Sequence, residues 1–179
     1  MPYILFNESR MNKILNVENI KVPVRGEPGA FGAVRKFDIN RGIDLYVPHN
    51  TPVFTIEPCS VIDVYWFTGE KANPPMPWWN NTMAVLVYGR WSQRYFIYGE
   101  ITPCVRIDDL LQEGQCIGYI ETVLKKDKGL PRSMLHFEAY AGKPIDYNPW
   151  KPWTSDADRP KFLLDPTAFL LKMFDEKML

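Results

Sequence analysis

From Val53 to Ile120 the pattern of this chain is mainly β, and that limits the folds open to it. Pro52-Val-Phe-Thr-Ile56 and Ser60-Val-Ile-Asp-Val-Tyr-Trp-Phe67 are rich in β-branched and aromatic residues. Met83-Ala-Val-Leu-Val-Tyr88 and Arg94-Tyr-Phe-Ile-Tyr98 follow, joined by a loop containing Gly89, as in a hairpin. Gln115–Leu124 reads as a further strand after Gly114. Ser133-Met-Leu-His-Phe-Glu-Ala-Tyr140 then alternates strictly. Met134, His136 and Glu138 share one face, and Leu135, Phe137 and Ala139 the other. The sequence predicts a mainly β domain of antiparallel sheets, barrel-like or sandwich-like. Asp165-Pro-Thr-Ala-Phe-Leu-Leu-Lys-Met-Phe174 closes it as a helix, with Asp165 suited to the N-cap and Pro166 to the first helical position.

A chain of 179 residues is long enough for one substantial core. Lys+Arg and Asp+Glu are both 21, so the net charge is zero. That argues against a general electrostatic grip on nucleic acid or on anionic lipid. The N-terminus lacks a basic segment followed by an apolar run, and no apolar stretch is long enough to span a bilayer. A cytoplasmic location is expected, or release of a phage- or lysis-associated protein by other means. Cys59, Cys104 and Cys116 form no Cys-x-x-Cys pair, so reduced and mostly buried thiols are expected.

The organisation falls into a lead-in over 1–25, a central domain over 26–141, and an arm and helix over 142–179 packed on that domain. Gly26-Glu-Pro-Gly-Ala-Phe-Gly32 is turn-rich, but its spacing fits neither a Walker loop nor a dinucleotide fingerprint. Val105–Gly114 reads as a turn or single-turn helix. Lys125-Lys-Asp-Lys-Gly-Leu-Pro131 reads as a solvated loop. The arm carries Trp150 and Trp153. The long Pro/Trp/Asn loop between Thr68 and Thr82 holds Trp78 and Trp79, which either line a groove for an extended ligand or cap the end of the sheets.

Nothing supports Ser/His/Asp or Cys/His catalysis. Of the two histidines, His49 sits in an exposed turn, and His136 lies on a strand among apolar neighbours. An acid near a turn, Asp44, and a histidine on a distant strand are parts from which a metal site is made. The segments Asn40-Arg-Gly-Ile-Asp44, Thr51-Pro-Val53, Tyr98-Gly-Glu100, Glu113-Gly-Gln-Cys-Ile-Gly118 and Leu135-His-Phe-Glu138 occur in one order. In that order they resemble the LytM/lysostaphin-type zinc endopeptidases, which cleave peptide crosslinks in peptidoglycan. The resemblance covers about residues 26 to 141. It implies a β-rich core of antiparallel sheets with the site in a groove.

Carried over, the resemblance places Asp44 and His136 on two zinc-ligand positions and Asn40 on the third, where the family has histidine. Glu100 and Met134 stand where the family has its two catalytic histidines. An asparagine carbonyl is a poorer zinc donor than imidazole, and a catalytic zinc usually keeps three protein ligands and a water. Glu100 is the candidate to complete the shell or act as general base. Trp78, Trp79, Arg41 and Tyr98 are candidates for contacting substrate, and Arg41, Lys36 and Tyr98 for stabilising an oxyanion. The expectations are three. One is a zinc metallopeptidase-like hydrolase with an incomplete site, acting on peptide or peptidoglycan-like substrate. The second is an inactive member of the same fold that binds a peptide or protein partner. The third is a carrier-type β domain with no metal, in which His136 is simply buried.

Overall fold

The computed structural model describes residues 11–127, 129, 131–144 and 153–174. The remaining residues of the lead-in, of the charged loop and of the arm, including Trp150, lie outside the described residues. The strands are β1 (Ile43–Tyr46), β2 (Pro52–Phe54), β3 (Cys59–Thr68), β4 (Thr82–Gly89), β5 (Tyr95–Pro103), β6 (Leu110–Leu111), β7 (Cys116–Ile120), β8 (Met134–Tyr140) and β9 (Leu163–Leu164). Among the described residues one α-helix, α1 (Thr167–Phe174), follows β9. The strands form a single antiparallel sheet of nine, with the order β1-β8-β5-β4-β3-β6, β7 joining β5 to β2, and β9 beside β8. The predicted β class holds. The sheet is open, not closed into a barrel.

Alternation decides which face each residue takes. Leu135, Phe137 and Ala139 of β8 enter the main core with Tyr98 and Ile101 of β5 and Ile43 and Leu45 of β1. Leu15 of the lead-in and Leu170 of α1 are buried in the same cluster. A second cluster on the other face gathers Phe67, Ala84, Leu86, Ile97 and Tyr140, with Trp153 and Leu163. The central strand β4 is buried on both faces, so its sequence is a continuous apolar run instead of an alternating one. Each fully buried Leu or Phe in these clusters contributes about 1.5–3 kcal/mol. Asp165 caps α1 by accepting a hydrogen bond from the Thr167 N–H at 2.9 Å.

Three features differ from the sequence reading. Within Val105–Gly114 a turn is followed by β6, which pairs Leu111 with Cys59 and Leu110 with Ser60. More consequentially, β5 runs on past Tyr98 to Pro103 because it changes partner. Tyr95–Gly99 pair with β8, whereas Ile101–Pro103 pair with β7. Against β4, Gly99 faces Ala84 and Ile101 faces Met83, so Glu100 is an extra, bulged residue. Its φ of 65° lies in the left-handed region that favours glycine. The thiols also differ from expectation: Cys59 is buried, but Cys104 is exposed.

Candidate functional site

The site forms where β1, β8 and the bulge of β5 meet. Asp44 of β1 and His136 of β8 are directly opposed in register, so their side chains leave the sheet on the same face. β1 comes this close because Gly42 lies against the Phe137 carbonyl, where a Cβ would collide. On the other side of β8, His136 opposes Gly99. The missing side chain there makes room for Phe67, whose ring centroid lies 5.4 Å from that of His136. A Cβ on Gly99 would sit 2.8 Å from the Phe67 ring. Glu138 follows two residues after His136 and so emerges on the same face.

These groups bond to one another. His136 Nδ1 meets Asp44 Oδ1 at 2.8 Å, and Nε2 meets Glu138 Oε1 at 2.8 Å. The Arg35 guanidinium donates to Asp44 Oδ2, and the Tyr140 hydroxyl donates to Glu138 Oε2. The result is a chain of charge, Arg35–Asp44–His136–Glu138–Tyr140, with Asp44, His136 and Glu138 all buried. Burial alone would strip the charge from His136, but the hydrogen bonds and charges of Asp44 and Glu138 outweigh it and push the imidazole up to about 10. Burial likewise opposes the ionised form of Asp44. The bonds and charges of His136 and Arg35 together hold it below the usual carboxylate range. Glu138 is also held low: burial is outweighed by His136, with help from Arg41 and Tyr140. At neutral pH His136 is therefore an imidazolium between two carboxylates.

Asn40 lies beside this chain, with its side-chain amide shared between the Gly-rich loop and Asp44. Nδ2 donates to the Gly29 and Ala30 carbonyls, both at 3.1 Å, and reaches Asp44 Oδ2 only at 3.5 Å. Its Oδ1 accepts from the Gly42 N–H at 3.4 Å. Asn40 thus fastens the Gly-rich loop to β1. Glu100 is buried at 8% exposure, and its Oε2 has no hydrogen-bond partner. Burial, reinforced by repulsion from Asp44 and only partly offset by His136 and Arg35, raises this carboxyl to about 8. The bulge aims it. In unbroken alternation Glu100 would turn to the same face as Tyr98; the extra residue turns it toward the cavities instead.

Two cavities adjoin. The smaller, of about 70 Å³, is lined by Glu100, His136, Glu138, Asn40, Arg41 and Trp79 among others. The larger, of about 520 Å³, shares Arg35, Trp79 and Glu100 with it and opens toward Tyr46 and Met134. The Trp79 wall is held in place by the next residue, Asn80, whose backbone N–H donates to Val123 at 2.8 Å and whose side chain donates to Thr122 at 2.9 Å.

The sequence candidates therefore separate. Asp44, His136, Asn40, Glu100, Arg41 and Trp79 converge on the site. Trp78 is 58% exposed and lines neither cavity. Tyr98 is buried in the core on the opposite face, where its hydroxyl accepts from the Ile56 N–H at 3.4 Å. β alternation puts it there, since Gly99 is the residue of that pair that faces His136. His49 lies apart, with its Nδ1 3.3 Å from Glu121. Sequence reasoning missed Arg35, Glu138 as the partner of His136, and Tyr140. The shared face of His136 and Glu138 was the available signal for the second; Arg35 lies in an irregular segment with no period to read.

No family model matches the chain, and no curated protein matches it. Solved structures do. The catalytic domain of the antimicrobial peptidase lysostaphin from Staphylococcus simulans aligns at a TM-score of 0.52 and 17% identity, over 85% of this chain and 92% of that one. The fold is lysostaphin-like. A longer lysostaphin structure from the same organism aligns at 0.55 and 15% identity, over 92% of this chain and 56% of that one, so the chain spans about half of its length. LytU aligns at 0.50 and 17% identity, over 96% and 91% of the two chains.

The zinc implied by the resemblance is tested by the donor set, which does not fit it. Both His136 nitrogens are spent on carboxylates, so neither is turned toward an open position. Arg35 occupies the outer oxygen of Asp44, and Asn40 gives its amide to backbone carbonyls. Among the described residues no group of three or more His, Cys, Asp and Glu side chains is arranged to hold a metal.

Proposed function

We propose that this chain is a lysostaphin-like fold in which a chain of ion pairs stands where the family holds its metal, and that its groove binds a peptide or protein segment. The observation that carries this reading is the double engagement of His136 by Asp44 and Glu138, with Arg35 closing Asp44. Two cations, Arg35 and His136, balance two carboxylates internally, so the fold needs no ion to neutralise them. A buried pair of this kind is costly to open, because each half left alone is an uncompensated buried charge. The fold and the adjoining cavities support a peptide ligand, peptidoglycan-like or from a protein partner. Trp79, Arg41 and Glu100 are the residues placed to touch it.

The second reading, a zinc metallopeptidase-like hydrolase with a divergent site, draws on the peptidase fold and on Glu100, whose raised carboxyl suits a general acid or base. One experiment separates the two. The protein is purified without chelator, its zinc content is measured, and its melting is followed in EDTA and in added zinc. A ligand that binds only the folded state at 100 times its Kd stabilises it by about 2.7 kcal/mol. The binding reading expects substoichiometric zinc and the same melting temperature in both conditions. Stoichiometric zinc together with zinc-dependent cleavage of peptidoglycan would replace it with the hydrolase.

A further inference from the structure

The feature left unexplained by the ion-pair chain is Glu100. It is 92% buried by its 8% exposure, its Oε2 lacks a partner, and a strained left-handed backbone at a bulge turns it into the cavities. Each of these costs stability. An αL conformation strains a non-glycine residue, and a buried acceptor left unpaired loses the hydrogen bonds water would have given it. The two carboxylates beside His136 are answered within the protein: Asp44 by Arg35 and His136, Glu138 by His136 and Tyr140. Glu100 has the position of an acceptor whose donor arrives from outside.

The shape of the larger cavity narrows that donor. Pro23, Tyr46, Leu124 and Met134 give it apolar walls, while Trp79 and Glu100 lie where it meets the smaller one. The Lys21 ammonium at the rim is bound to Glu27 at 2.6 Å and the Arg35 guanidinium to Asp44, so the two cations lining the space already have carboxylate partners. A cavity of about 520 Å³ with apolar residues in its wall and an unanswered carboxyl beside Trp79 suits an aliphatic stem tipped by a cation.

We propose that Glu100 is the recognition group of a primary-ammonium subsite, and that the peptide held in the groove presents a lysine-type side chain to it. The stem lies along Tyr46, Leu124 and Met134, and the ammonium donates to Glu100 beside Trp79. This rests on the peptide-binding reading above. The bond is charge-assisted, about twice as strong as one between neutral groups. Acetylating the amine removes the charge and adds bulk at the carboxyl.

The test is an NMR titration of the full chain with N-acetyl-Ala-Lys-Ala-amide, its Nε-acetyl counterpart and pentylamine. It is run on the wild type, on Glu100→Gln and on Glu100→Gly, whose fold the left-handed backbone favours. The lysine peptide is expected to bind the wild type at least about tenfold more tightly than the acetylated one, and both variants are expected to lose that preference. Equal binding of the two peptides overturns the ammonium subsite and leaves the peptide reading standing. Preference retained in both variants also overturns it, since another group then holds the amine. Pentylamine binding that depends on Glu100, with no binding of either peptide, supports the subsite and removes the peptide reading. No binding by any of the three overturns both.

Discussion

At the scale of the residue, Glu100 and His136 are opposite solutions to burial. His136 is given two carboxylates, which push its imidazole up to about 10; Glu100 is given no partner for its Oε2, and burial raises its carboxyl to about 8. The linkage signs follow. A carboxyl whose folded pKa is raised binds more protons folded than unfolded, so its stability is fully present below its ordinary value near 4.5 and is lost as pH rises toward 8. His136, raised from 6.5 to about 10, contributes stability present below 6.5 and lost as pH climbs to about 10. Asp44 and Glu138, held low, act in the other sense, and their contribution disappears as pH falls through the acid range. Glu100→Gly removes the first of these and relieves the left-handed backbone. Strain relief of about 1–2 kcal/mol and release of an orphaned acceptor worth about 1–3 kcal/mol exceed the roughly 0.5–1 kcal/mol of chain entropy that glycine costs. Urea unfolding should show the variant more stable by about 1–2 kcal/mol at pH 8. The gain should shrink toward pH 5, with the His136 decline above 6.5 left in place. A variant less stable than wild type at pH 8 would mean that Glu100 has a partner within the fold.

At the scale of the element, the β1–β8 register does most to assemble the site, and it depends on Gly42. Gly42→Ala would drive a methyl into the Phe137 carbonyl, push β1 off β8 and part Asp44 from His136. A loss of about 1–3 kcal/mol is expected, together with loss of the downfield imidazole N–H resonances of His136 in the NMR spectrum. Unchanged resonances would mean that the strands tolerate the methyl. The alternation of Ser133–Tyr140 was legible from the sequence and correctly split Met134, His136 and Glu138 from Leu135, Phe137 and Ala139. The order of motifs likewise led to Asp44 facing His136. The bulge was not legible. Gly99-Glu100 looks like the end of a strand, because a change of pairing partner from β8 to β7 is a tertiary event without a local signature. The same blindness assigned Tyr98 to the groove. Arg35 was invisible for another reason: it comes from the irregular segment between the Gly-rich loop and β1, where no period says which way a side chain points.

At the scale of the whole molecule, the proposed binding reading makes the ion pairs a rebuilt site and not a zinc site short of one ligand. The resemblance places Asn40 where the family has a histidine ligand, and Asn40→His is the substitution that would restore it. The assembled site makes that repair insufficient. Asn40 ties the Gly29 and Ala30 carbonyls to β1 through its amide, and a histidine there gives up those bonds before it gains an ion. Arg35 would still hold Asp44, and His136 would still be protonated between two carboxylates. A metal must displace a guanidinium and a proton before it finds a lone pair, and the buried charges left by half-opening the chain oppose each step. Asn40→His alone should therefore melt lower than wild type, by about 1–2 kcal/mol for the lost backbone bonds, with no response to zinc. Adding Arg35→Ala frees Asp44 and lets zinc supply the missing positive charge, so only the double variant should melt higher in zinc than in EDTA. Differential scanning calorimetry of the two variants in zinc and in EDTA decides it. A zinc response in Asn40→His alone would mean that the ion-pair chain yields to metal, and that one residue separates this protein from a zinc site.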